Sequence, residues 1–413
     1  MTIITTFSRQ FGRIGSSDKK RRTSKAGIHT NRRKIVHLSP IRDPFEPRMF
    51  FEASSAATAG FEVVVVAPHS GVSYRDGVRI SGIPACRSIF ERLTLSCWRC
   101  IRKGIAERAD IYHLHEPDMV PWALLLRLAG KVIIYDVHED YSTAAQDRQW
   151  IPNWARGIIA QGVAAISSLA QSMFTIIIAE RYYQRLFPNA EQVLNYAKID
   201  EYKHIWSIRH NTNNQIRVLY TGTVSESRGA LHHIRLLDFL PYDSELHIVG
   251  RCNIKDLSTN LERFANDRRL QLVLSDQWIP RDRVASTYNS PWTCGLALFP
   301  DTLHYREKEL TKFFEYMAAG LPIVCSSFPV WRELVEGHGV GLCVDPEDPA
   351  AAVEAIVWMQ RHPDEARAMG ERGRHLVSTR FNWTSQADRL LSLYNRLAIP
   401  SMIAMGWLGV ECP

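Results

Sequence analysis

The chain has 413 residues, enough for two or three domains that each bury a core of their own. Its formal charge of +7 comes from one end: residues 1–34 hold ten Lys or Arg against the single acid Asp18, leaving 40 basic and 42 acidic residues elsewhere. That balance excludes a nucleic-acid enzyme argued from charge, and no nucleic-acid partner is expected.

The basic leader, residues 1–33, is rich in Ser, Gly, Arg and Lys and lacks the apolar core of about 7–15 residues that a secretory signal needs. It is expected to be a disordered tail, either in peripheral contact with an anionic membrane or solvated and without a role. Eight cysteines are scattered; Cys97 and Cys100 form a lone C-x2-C with no second pair at zinc spacing, and Cys294 and Cys325 sit in apolar strand runs. Reduced thiols suit the cytoplasm, with any membrane contact on the inner face of the cell membrane.

Along the chain, β-rich apolar runs alternate with helical stretches. Strands are expected at Lys34–Leu38, Glu62–Ala67, Ile111–Leu114, Val132–Tyr135 and Phe174–Ala179. A second set is expected at Arg217–Tyr220, Leu246–Val249, Gln271–Leu274, Gly295–Phe299 and Ile323–Ser326. This is the pattern of α/β proteins whose parallel sheets carry helices on both faces. The polar stretch Ile199–Gln215 separates the sets, so a first domain over 34–205 and a second over 206–382 are expected, with a hinge near 200–214 and a tail at 399–413. Residues 157–179 carry no charge over 23 positions, but Gln and Ser dilute the first part and the β-branched end reads as a core strand. A helix followed by a strand is the reading preferred to a membrane span.

In such sheets ligands bind beyond the carboxyl ends of the strands. LYTGTVSESRG (219–229) places Gly222 at a strand end and Arg228 just before an expected helix, an arrangement suited to a diphosphate. The run EKELTKFFEYMAAGLPIV (307–324) sets Glu307 and Glu315 with seven residues between them. Thr311 is a candidate N-cap, Phe314, Met317 and Ala318 an apolar stripe, and Gly320 a left-handed C-cap. Lys312 and Glu315 share one helical face; they suit a phosphate and a sugar held together, or an ordinary intrahelical ion pair.

This run resembles the signature of glycosyltransferase family 4, the retaining nucleotide-sugar enzymes with the GT-B fold. Glu307, Glu315, Ala319, Gly320 and Pro322 fit its two acids and its Ala-Gly-x-Pro turn, and LYTGTVSESRG, YDVHEDY (135–141) and FNW (381–383) fall in the family's order. The resemblance implies two doubly wound Rossmann-like domains facing each other across a cleft, with the helix 383–398 returning to the first. It implies Glu315 on the ribose, Glu307 on the transferred hexose, and His138 reaching the donor sugar as a second catalytic residue. Gly222, Arg228 and Lys312 would hold the pyrophosphate; Thr223 stands where the family has an Arg, which is why Lys312 is chosen. Arg48 and His115 are placed on the acceptor side. No metal or other cofactor is expected. The implied partners are a nucleoside-diphosphate sugar donor and a glycan or lipid-linked glycan acceptor, in cell-surface or exported polysaccharide synthesis.

Two other classes stay open at this point. His113 and His115 share a strand face and, with His138 and Asp136, would suit a metal-dependent hydrolase. A non-catalytic sugar-nucleotide binding protein, or an epimerase on the same fold, is the other.

Overall fold

The computed structural model describes residues 33–147, 151–205, 215–252, 264, 266–276 and 279–398. The basic leader through Arg32, most of the expected hinge and the segment after Ala398 lie outside the described residues.

The first half forms an eight-stranded sheet from β1 (Lys34–Leu38), β2 (Glu62–Pro68), β3 (Val72–Arg75), β4 (Val78–Ile83), β5 (Ile111–Leu114), β6 (Val132–Val137), β7 (Thr175–Ile178) and β8 (Glu191–Gln192). Their order is β3-β4-β2-β1-β5-β6-β7-β8, and only β3 runs antiparallel, to β4. Runs such as EVVVVAP are apolar on both sides because both faces of the sheet are covered. On one face the helices Cys97–Ala106 and Val120–Leu128 press Cys100, Ile101, Ala123 and Leu126 onto Val36, Leu38 and Val64. The helix Asn153–Met173 continues that layer. On the other face lie the helix Pro47–Thr58 and the last helix, Trp383–Leu397, with Met49, Ala53, Leu390 and Tyr394 against Ile35, Val65 and Ile134. Leu390 and Leu393 are fully buried, a contribution of about 1.5–3 kcal/mol each. The last helix thus returns to the first sheet.

The second half is a six-stranded parallel sheet of β9 (Arg217–Thr221), β10 (Glu245–Arg251), β11 (Leu270–Ser275), β12 (Cys294–Ala297), β13 (Ile323–Ser326) and β14 (Gly341–Val344). The order β11-β10-β9-β12-β13-β14 brings β9 and β12 side by side at its centre. The helix Thr311–Ala319 packs on it almost wholly buried, and the Tyr316 ring lies so close to Gly295 that an added Cβ would sit 2.6 Å away. Gly320, at φ 74°, ends this helix, donating to Met317 O at 3.0 Å while Leu321 N reaches Tyr316 O. Thr311 is the first helical residue; Leu310 takes the N-cap position, with no side-chain bond. Residues 157–179 are a helix and then β7, as their texture predicts, and no helix among the described residues is long and apolar enough to cross a membrane.

Candidate active site

β9 hands the chain to Gly222, whose φ of 116° suits a residue without Cβ. The bare side of Gly222 looks onto Lys312: a Cβ there would lie 3.8 Å from both Cε and Nζ. Lys312 is not the surface partner of Glu315. It is 7 % exposed, its Nζ has no hydrogen-bond partner, and it rests over the Tyr220 ring at 3.5 Å and the Phe299 ring at 4.9 Å. Burial, with Arg228 nearby, pulls its ammonium well below the ordinary lysine value, against the smaller opposing pull of Glu315. Arg228 bonds to the Tyr305 hydroxyl and feels the Glu139 carboxylate from the first half. A glycine backbone, a guanidinium and an unanswered ammonium therefore converge. The helix after Arg228, Ala230–Arg235, has only 6 residues, so its dipole adds little.

One helical turn from Lys312, the Glu315 carboxylate is held by two long bonds, Arg281 Nη1 at 3.3 Å and Tyr288 OH at 3.4 Å. It keeps accepting capacity for a diol. Arg281 is shared with Glu201 at 2.7 Å.

Glu307 lies at the end of the short helix Leu303–Arg306 and pairs with Arg185 of the first half. Its two neighbours also reach across. Lys308 Nζ meets Glu139 Oε1 at 3.2 Å and His304 Nε2 at 3.4 Å; Glu309 accepts from Arg181 at 2.9 and 2.5 Å, and its N–H donates to Glu180 Oε2 at 2.8 Å. Burial raises Glu139, but Lys308 and His304 outweigh it and hold that carboxylate well below the usual range. His304 is pushed down to about 4 by burial and by Lys308, and its Nδ1 is buried without a partner. Sequence reasoning missed Glu139, Arg181, Arg185 and Lys308. The alternating charges of EKE were the available signal, but their partners lie more than a hundred residues away.

His138, just past β6, donates or accepts through Nε2 at 2.8 Å from Asp136 Oδ2 and 3.1 Å from His115 Nδ1. Asp136 is fully buried; burial raises it, yet Arg48 and His138 hold it well below the usual carboxylate range. The ionised oxygen therefore accepts, and the His138 Nε2–H donates.

Two expectations need correction here. Arg48 is not free for an acceptor: its guanidinium makes two 2.7 Å bonds to Asp136, reaches Val193 O at 2.6 Å and Asn195 Oδ1 at 2.9 Å, and is 4 % exposed. His115 is fully buried between His138 and His37, whose Nδ1 is 2.9 Å from its Nε2, so it does not face the cleft either.

His37, Glu52, His113 and His115 form a group whose nitrogens and carboxylate lie close enough to suit a metal ion. The rings do not suit it. His113 stacks on His37 at 4.7 Å and on His115 at 4.6 Å, with interplanar angles of 29° and 17°, so the in-plane lone pairs run nearly side by side instead of meeting. Arg48 Nη2 also stands 3.2 Å from Glu52 Oε1, where a cation would be repelled. His113 bonds instead to the Tyr394 hydroxyl at 2.7 Å.

The glycosyl transferases group 1 family profile matches residues 203–376, and the glycosyltransferase family 4 profile matches residues 52–178. A phosphatidyl-myo-inositol mannosyltransferase of Mycobacterium leprae (strain TN) is 25% identical over 302 residues, covering 70% of this chain and 74% of its own. The chain is a glycosyltransferase of family 4. Among solved structures, sucrose-phosphate synthase from Thermosynechococcus elongatus superposes with a TM-score of 0.70 at 16% identity, over 89% of this chain and 99% of that one. Anabaena HepE in complex with UDP and glucose gives 0.66 at 14%, over 88% and 99%. These likenesses give the glycosyltransferase its GT-B fold: two Rossmann-like halves about one cleft. Membership sets aside both the hydrolase and the non-catalytic readings, and the group 1 match spans Gly222, Arg228, Glu307, Lys312 and Glu315.

Proposed function

We propose that this glycosyltransferase moves a hexose from a nucleoside-diphosphate sugar to a hydroxyl of a glycan or lipid-linked glycan, with retention at the anomeric carbon and without a metal. One observation carries the reading: the Lys312 ammonium, buried and without a hydrogen-bond partner, beside Arg228 and the open backbone of Gly222. A buried cation left unpaired is costly, and an anion between it and a guanidinium removes the cost. Glu315, a helical turn away, would take the ribose hydroxyls. The sugar would extend toward Glu307, His304 and His138, whose Nε2–H is held by Asp136.

In the reaction the bond from the anomeric carbon to the diphosphate breaks and a bond to the acceptor oxygen forms on the same face. The acceptor proton passes to the leaving phosphate oxygen. Arg228 and Lys312 stabilise the charge that develops on the diphosphate, and closing the cleft keeps water from the donor. UDP and glucose are bound by HepE, which makes UDP-hexoses the first donors to try. The product would serve cell-surface or exported polysaccharide, with the basic leader in peripheral contact with the inner face of the membrane.

The test is donor turnover by purified protein, with an acceptor mixture, in excess EDTA. Rate retained within about threefold agrees with charge stabilisation by the protein's own cations. Activity abolished by EDTA and restored by zinc would contradict it.

A further inference from the structure

The helix Asn153–Met173 is 21 residues long, yet only Ala160 and Ala170 are buried. Its outward face, at helical spacing, carries Trp154, Ile158, Ala165 and Leu169; Trp154 is 79 % and Ile158 65 % exposed, where packing would normally hide such side chains. The neighbouring helix Val120–Leu128 touches it and adds Leu125 and Leu128, the latter 79 % exposed. Beside that, Trp98 of the helix Cys97–Ala106 pairs with Trp122 at 6.0 Å and is itself exposed. All three helices cover the same face of the first sheet, so these side chains share one outer surface.

The charge on this layer is one-sided. The three helices hold Arg99, Arg102, Lys103, Arg127 and Arg156 and no Asp or Glu. Among the described residues only Arg99 has a carboxylate partner, Glu91 at 3.1 Å. Arg127 and Arg156 bond only to backbone carbonyls, Met173 O and Ile151 O. Apolar side chains that include tryptophans, on helices that carry cations and no carboxylate of their own, match the boundary of an anionic bilayer, where acyl chains take the apolar face and headgroups the cations. A second copy of the chain would bring the same unneutralised cations toward one another across a two-fold interface.

We propose that the layer formed by the helices Cys97–Ala106, Val120–Leu128 and Asn153–Met173 is a docking surface for a bilayer of anionic lipid, lying on it without crossing. None of its residues belongs to the donor site, and the inference stands without the donor reading. Docking would hold the cleft at the membrane, where a lipid-linked acceptor is found.

The test is flotation of the full chain with vesicles of phosphatidylcholine alone or with phosphatidylglycerol added, for the wild type and for a Trp154→Ser/Ile158→Asn double variant. The leader is common to both proteins, so its contribution cancels. The wild type should float with the anionic vesicles, and the variant should lose about tenfold in bound fraction. Its donor turnover toward a soluble acceptor should stay within about twofold of the wild type, since both positions are exposed. Equal flotation of variant and wild type overturns the proposal, as does a wild type that does not float. A wild-type dimer that the double substitution converts to monomer also overturns it, in favour of a second copy as the occupant. Absent donor turnover in a wild type that floats counts against the donor reading and supports this one.

Discussion

Lys312 is a residue that stability alone would not select. Its ammonium is buried over two aromatic rings with no hydrogen-bond partner, and the protein keeps it charged only against the cost of desolvation. Lys312→Met should therefore make the empty enzyme more stable by about 1–3 kcal/mol, read as a higher melting temperature. The pH dependence has a definite sign. The folded value is depressed and the unfolded value is 10.5, so over the interval between them the unfolded chain binds the proton more strongly. Wild-type stability should then rise toward that of Lys312→Met as pH climbs through that interval to 10.5, and parallel curves would show that Lys312 is not desolvated. Arg48 is the opposite case. Removing it leaves Asp136 buried without its guanidinium, so Arg48→Ala should cost about 3–5 kcal/mol in denaturant unfolding. A fully stable Arg48→Ala protein with a raised acceptor KM would restore the acceptor role expected from the sequence. Lys312 and Glu315 are legible as neighbours because they stand three residues apart on one helix. It misplaces Arg48 because the residue that turns the guanidinium inward is 88 positions away.

Among the elements, strand runs were legible where burial on both faces makes them continuously apolar, as in EVVVVAP, and each of the ten expected strands is present. β3 and β4 were missed although their turn carries a signal: Asp76 and Gly77 both have positive φ, 48° and 78°, the Asp-Gly pair of a tight hairpin. β14 was missed because GLCV is short and half-buried at the sheet edge. The helix Asn153–Met173 shows why texture has to be read with burial: the missing charges suggest an interior position, while the helix lies on the surface. The segment after β7 holds a further titrating group. Glu180 is fully buried and raised to about 8, by burial first, against the pull of Lys308. A carboxyl raised in this way contributes its stability below the unfolded value of 4.5 and loses it as pH rises toward 8. Wild type should lose stability relative to Glu180→Gln across that interval, by thermal melting in matched buffers. A difference that does not change with pH would mean that Glu180 is ionised throughout.

At the scale of the whole molecule, the two sheets meet through three consecutive residues, Glu307, Lys308 and Glu309, each paired with the first half. The same run supplies the acid that the family resemblance places on the hexose. On the proposed reading, contact between the halves and the sugar end of the cleft would share one loop, which would link donor binding to closure. On the same reading the diphosphate would lie against the second half, on β9, Gly222, Arg228 and Lys312. Affinity for the diphosphate should therefore persist in variants that weaken contact between the halves. The most direct measurement is calorimetric titration of UDP and of uridine into the wild type and Lys312→Met. The wild type should prefer UDP, and Lys312→Met should lose about 10–100-fold in UDP affinity while uridine affinity changes little, the effect of one charged contact to phosphate. Equal losses for UDP and uridine, or unchanged UDP binding, would contradict it.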